Sequence, residues 1–307
     1  MSKLSKDEIE RWITLDNGVH VPIKKGETEE DVKNRLDEWN KQNSKKKSYR
    51  DILKEKDIYE ATAQFIADNH VGVSESVLEE VDDESLVQVY DTLREIKERH
   101  KDLNVSKMKL YNEKTVDDCD PNAFAGMADD GTLYLNSIYF SQKPNDITEL
   151  YQESVNDKFH PKCPDGIAGI ITHEVGHMEF FHWMQTTNEK LKGTDKDYNA
   201  VYSYLGGYKN EMTGNEPLYV EFYKKVKPIQ DKIQNNEAIK KAWGKKPNLS
   251  LQGLADPGKG ASGVSISRYA SYSIFEMMAE SFADVFWNGK NAALMSRMLC
   301  NEFYKEK

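Results

Sequence analysis

Apolar residues recur at helical spacing in several stretches of the chain. Leu86, Val87, Val89, Tyr90, Leu93 and Ile96 do so most regularly and predict a helix over 84–103. Further helices are expected at 145–157, after Pro144, and at 166–186, which opens on Asp165-Gly166 and runs apolar through Ile167, Ile170 and Ile171. Two closing helices are expected at 273–288 and 290–304. Strand patterns are fewer. β-rich runs flank Asp16-Asn17-Gly18 within 11–23, and another pair flanks Asp129-Asp130-Gly131 between Ala123 and Asn136; both are strong hairpin turns. Residues 28–70 read as polar and helical, with Val32, Leu36 and Trp39 as a thin apolar stripe. The charged, aperiodic stretch Lys41–Arg50 is the best boundary. A small N-terminal module, hairpin plus helix and linker over 1–50, is therefore expected ahead of a larger domain over 55–307. Residues 187–265 break the pattern with glycines at 193, 206, 207, 214, 253, 258, 260 and 263, and hold a helical stretch at 216–243 that Pro228 should bend or break.

Composition narrows the functional classes. The 307 residues, 38% of them hydrophobic, are enough for a buried core without cross-links. A net charge of −10 argues against a general nucleic-acid binder, whose affinity rests on neutralising phosphates. The local basic run Lys45, Lys46, Lys47, Arg50 reads as a solvated linker. No stretch approaches the ~18 apolar residues of a membrane span, and the first ten residues lack the apolar run of a Sec signal peptide. The expectation is a soluble protein, cytoplasmic as synthesised, whose exits are lysis, a non-Sec secretion system or packaging in a particle. Cys119, Cys163 and Cys300 are too far apart and too few for a disulfide framework or a cysteine zinc site.

The sharpest chemistry lies in Ile171-Thr172-His173-Glu174-Val175-Gly176-His177. On a helix, positions i and i+4 differ by ~40°, so His173 and His177 can share one zinc. Glu174 is offset by one residue and suits a general base acting on water. A catalytic zinc needs a third protein ligand and keeps one position open. His182 does not supply it: five residues beyond His177 it points ~140° away. Phe180 and Trp183 occupy the positions where the longer H-E-x-x-H-x-x-G-x-x-H pattern needs Gly and His.

The better third ligand is downstream. Glu276 and Glu280 stand i, i+4 on one face of an apolar helix, with the small Ala279 and Ala283 beside them. Carboxylates in such surroundings are costly unless paired or metal-bound. Taken alone, Glu276, Glu280 and Asp284 also fit the wet stripe of an amphipathic helix. Beside an H-E-x-x-H helix, the metal reading is preferred: Glu276 ligates, and Glu280 accepts the free ring N–H of a ligand histidine.

H-E-x-x-H followed by a helical glutamate resembles the gluzincin type of zinc metallopeptidase. The block Tyr269-Ala-Ser-Tyr-Ser-Ile-Phe-Glu276-Met-Met-Ala-Glu280-Ser-Phe-Ala283 resembles the anthrax lethal factor catalytic domain and its relatives, including peptidase-like domains of bacteriophage head-associated proteins. The match covers about 122–182 and 266–289. More weakly, the segment 12–23 resembles short leader segments of phage or prophage minor head proteins. The resemblance implies an α+β zincin-like domain, helix-rich with a small mixed sheet. It implies metal ligation by His173, His177 and Glu276, support from Glu280, and a substrate-facing tyrosine at Tyr269, although Tyr272 three residues on could also reach the site. The 126–136 hairpin would supply sheet-edge strands to which an extended peptide can add. The 99-residue spacing from His177 to Glu276 departs from the family, and the surplus at 187–265 reads as a lid, a specificity insert or an inhibitory flap.

The resulting expectation is a zinc-dependent endopeptidase acting on protein or extended peptide, without nucleic-acid partners. The alternatives are a packaged phage or prophage protein whose zinc only stabilises the fold, and a toxin-like effector protease. The remaining signals are weaker. Gly253–Gly260 reads as a loop and fails the P-loop pattern at Gly260. Cys163 reads as an ordinary thiol rather than a zinc-blocking thiolate. His20, His70, His100 and His160 are expected at the surface.

Overall fold

The structure, a computed structural model, describes residues 9–14, 20–28, 30–32, 47–100, 104–113, 122–194, 200–201, 216–244, 249–258 and 261–304. The Asp16–Gly18 turn, Leu36, Trp39, Lys41–Lys46, Cys119 and the glycines at 206, 207, 214 and 260 lie outside them. The chain divides into two compact units, Met1–Glu149 and Leu150–Lys307. The stretch expected to bound an N-terminal module falls inside the first unit. Among the described residues, no helix is long and apolar enough to cross a membrane.

The first unit opens with the expected hairpin, β1 (Ile9–Thr14) antiparallel to β2 (His20–Lys24) with Trp12 opposite Pro22. The described part of the stretch 28–70, read as helical, includes two helices, α1 (Tyr49–Glu55) and α2 (Ile58–Asn69). The break comes at Asp57, whose side chain accepts the Glu60 N–H at 2.9 Å and starts α2 afresh. A four-stranded mixed sheet follows, interleaved with helices. Its strands are β3 (Gly72–Val73), β4 (Lys107–Leu110), β5 (Ala125–Met127) and β6 (Thr132–Leu135), in the order β3-β4-β6-β5. The first two pairings are parallel and the last antiparallel. Gly131 closes the expected β5–β6 turn at φ +79°, where a Cβ would also collide with the Asn104 carbonyl. Between β3 and β4 run α3 (Glu75–Glu80) and α4 (Asp83–Arg99). Asp82 caps α4, and its predicted apolar face, Leu86, Val89, Tyr90, Leu93 and Ile96, is fully buried. Helices α5 (Ser137–Phe140) and α6 (Pro144–Asn156) follow, the units dividing within α6.

The second unit is helical around α7 (Gly166–Lys190), α8 (Pro217–Gln234), α9 (Glu237–Trp243), α10 (Leu251–Ala255), α11 (Ile274–Asn288) and α12 (Leu294–Phe303). Pro228 does not break α8. Its missing N–H removes one helical bond, but Phe222, Val226, Ile229 and Ile233 are buried on either side of it, and that burial holds the helix continuous. The break comes instead at Asn235–Asn236, where the Asn236 side chain caps α9 by accepting the Ala238 N–H. The described part of 187–265 is built into the core: Leu218, Phe222, Ile233, Ile239 and Leu254 share one cluster with Phe180, Met184, Met277 and Met278.

Candidate metal centre

Helix α7 starts where Asp165 accepts the Ala168 N–H at 2.8 Å. From Gly166 to Gly176 every residue is buried, so this is an interior helix and its polar residues need partners. Helix α11 starts where Ser273 accepts the Glu276 N–H at 3.0 Å, which places Glu276 in its first turn. The two helices approach closely. A Cβ on Gly176 would stand 2.8 Å from Ala279 Cα and 2.9 Å from Ala279 O, so glycine is required at this crossing. Trp287 Nε1 donates to Thr172 Oγ1 at 2.9 Å and ties the same helices further along.

This approach brings His173, His177 and Glu276 together, with one ligand atom from each within 4.8 Å of the others. Glu276 Oε2 lies 3.0 Å from His173 Nε2 and 3.4 Å from His177 Nε2. The two imidazoles stand nearly perpendicular, 4.7 Å apart. Glu276 Oε2 and His177 Nδ1 are buried with no hydrogen-bond partner among the described residues. An orphaned carboxylate oxygen facing two imidazole nitrogens fits a bound metal ion, and these three residues could hold one.

Electrostatics fit the same arrangement. Burial works against the Glu276 carboxylate, but His177 and His173 outweigh it and hold the group well below the usual carboxylate range. Burial likewise opposes a charge on His173, yet Glu276 and Glu280 raise its pKa well above the ordinary histidine value. Both carboxylates favour a proton on the His173 ring, and a metal ion would compete with it at Nε2.

Around the triad, Glu280 Oε1 lies 2.7 Å from His173 Nδ1. Glu280 is 1% exposed, and Ser267 Oγ donates to its other oxygen at 2.7 Å. Glu174 is buried on α7 between the two ligand positions. Tyr269 stands in a single 3₁₀ turn, Tyr269–Ser271, with its ring 5.6 Å from that of His173. Burial, then Glu276, Glu174 and Glu280, push its phenol pKa up. Tyr272 is 65% exposed and packs on Phe159 and Tyr269, one layer further out. Of the two tyrosines, Tyr269 is the one held against the ligands.

His160 overturns its expected surface place. It is largely buried, stacks on Tyr151 and reaches Glu280 Oε1 at 3.0 Å. Neither His160 nor Ser267 carries a local sequence signal, because both meet Glu280 from loops at no helical spacing. His182 is exposed, and so is His70, the left-handed cap of α2. Cys163 lies 3.2 Å from the Tyr151 hydroxyl, and burial pushes its thiol up to about 12, so it is a neutral thiol.

Comparison with protein-family models, curated proteins and solved structures gives no match.

Proposed function

We propose that the chain is a zinc-dependent endopeptidase of the zincin-like, lethal factor-resembling kind, acting on protein or extended peptide. What supports this reading most is one juxtaposition: a buried glutamate, Glu174, on the helix that carries two of the three residues that could hold a metal among the described residues. A purely structural zinc usually has four protein ligands and no use for such a carboxylate. Two imidazoles and one carboxylate are also a donor set of catalytic zinc.

Zinc held there supplies Lewis acidity and lowers the pKa of water toward about 7. The chain's own groups do the rest. Glu174 takes the proton of the attacking water and passes it to the leaving amine. Tyr269, whose raised pKa keeps its hydroxyl protonated, donates to the substrate carbonyl oxygen as negative charge develops. Glu280 keeps His173 in the tautomer that presents Nε2.

The test is cleavage of an unfolded protein such as denatured casein. The zinc-loaded chain should cleave it, a chelator should stop cleavage and added zinc should restore it. Glu174→Gln should keep the zinc and lose activity by about 10²–10⁴-fold. Full activity in that variant would overturn the mechanism. Zinc binding with no cleavage of any unfolded protein would favour the packaged phage protein with a structural site.

A further inference from the structure

We propose that His160 is a positioning residue of the metal centre, holding Glu280 so that Glu280 can fix the tautomer and orientation of His173. The proposal rests on the reading of His173, His177 and Glu276 as zinc ligands.

The backbone places His160 with unusual definition. Helix α6 ends in a left-handed turn at Lys158, φ 57°, with Lys158 N–H donating to Val155 O and Phe159 N–H to Ser154 O. The chain then runs beside the segment that precedes α11: Arg268 N–H donates to Lys158 O at 2.8 Å and Tyr269 N–H to Phe159 O at 3.1 Å. His160 follows directly. Its ring stacks on Tyr151 at 5.2 Å and 9°, and meets Tyr269 edge-on at 5.2 Å. The Tyr151 stack and the Tyr269 edge contact thereby fix the plane of the imidazole.

Its hydrogen bond is the informative one. His160 Nδ1 and His173 Nδ1 share the same oxygen, Glu280 Oε1, at 3.0 and 2.7 Å, while Ser267 Oγ takes Oε2. An ionised carboxylate only accepts, so both histidines carry hydrogen on Nδ1. For His173 this leaves Nε2, which faces Glu276 and His177, as the ring atom open to a metal ion. Three donors on two oxygens prevent the carboxylate from rotating about its terminal bond. Removing His160 leaves His173 alone on Oε1 and frees the plane of the group on which His173 depends. His177 has no such support among the described residues, since its Nδ1 is unpartnered. The orientation of the ligand pair therefore rests on the His173 side.

The test separates the hydrogen bond from the packing. His160→Phe keeps a ring for Tyr151 and loses the donor. His160→Asn loses the ring and places an amide N–H near the Nδ1 position. Zinc affinity is read by competition with a chromophoric chelator, with circular dichroism of the metal-free proteins as the folding control. His160→Phe should lose about 10–100-fold in affinity, the usual cost of removing a group that orients a metal ligand. His160→Asn should recover most of that loss. Parent-like affinity in His160→Phe would overturn the proposal, and so would His160→Asn no better than His160→Phe. If either variant fails to fold, the parent decides: ¹⁵N-histidine spectra should show His160 and His173 both protonated at Nδ1, and an Nδ1 without hydrogen on His160 would refute the proposal. A parent that binds no zinc would instead refute the proposed function and leave the His160 tautomer as found.

Discussion

Glu280 and Asp284 stand one turn apart on α11, and both are buried, yet their surroundings differ in kind. Glu280 faces two imidazoles and a hydroxyl. Burial opposes its charge, but His160 and His173 prevail and hold it well below the usual carboxylate range. Asp284 faces only neutral donors: Ser296 Oγ at 2.6 Å, Ala293 N–H at 2.9 Å and Asn288 Nδ2 at 2.9 Å. There burial prevails and raises its pKa. One carboxylate is an ionised acceptor for His160 and His173. The other closes the start of α12. Burial of an acid within an apolar helix therefore does not by itself mark chemistry; the charge of its partners does.

Two substitutions test that contrast, and a third tests the crossing of α7 and α11 that positions it. Glu280→Gln should have the largest effect. It leaves two buried histidines without their shared anion, and breaking a buried pair costs about 3–5 kcal/mol. Urea denaturation of the metal-free protein measures it. A loss under ~1 kcal/mol would mean that the imidazoles do not depend on this group.

Gly176→Ala comes next. The atoms its Cβ would meet are Ala279 Cα and O and Phe282 Cβ, none of which can swing aside. Overpacking of this kind costs about 1–3 kcal/mol. The forced separation of α7 and α11 should also weaken zinc binding, because the three residues that could hold the ion come from both helices. Unchanged stability and affinity would mean that the crossing tolerates a wider spacing.

Asp284→Asn should have the smallest effect, within about 1 kcal/mol at neutral pH. Its signature is in the pH dependence. The folded pKa lies above the ordinary Asp value of 3.8, so the native state binds more protons than the unfolded one as that value is passed. Stability contributed by this group therefore falls as pH rises above 3.8, and the asparagine variant should lack that fall. Denaturation across a pH series measures it. A loss as large as that of Glu280→Gln would erase the distinction between the two halves of α11.

What the sequence made legible follows the range of each interaction. His173 with His177, and Glu276 with Glu280, are spaced one helical turn apart, so local periodicity alone puts each pair on one face. The apolar periods of α4, α7 and α11 were legible for the same reason. His160 and Ser267 were not, because their approach to Glu280 is set by loop-to-loop bonds such as Arg268 N–H to Lys158 O. Strands β3 and β4, two and four residues long, carry too few positions to show a period, and their pairing is non-local. Pro228 does not end its helix because a local helix breaker is set against burial on both sides of it.

The central claim is that His173, His177 and Glu276 hold one zinc. Anomalous diffraction at the zinc edge, from crystals of the full chain dialysed against zinc, tests it most directly. The account predicts a single tightly bound peak about 2.0–2.2 Å from His173 Nε2, His177 Nε2 and a Glu276 oxygen. A protein that takes up no zinc, or a peak away from these three side chains, would contradict it.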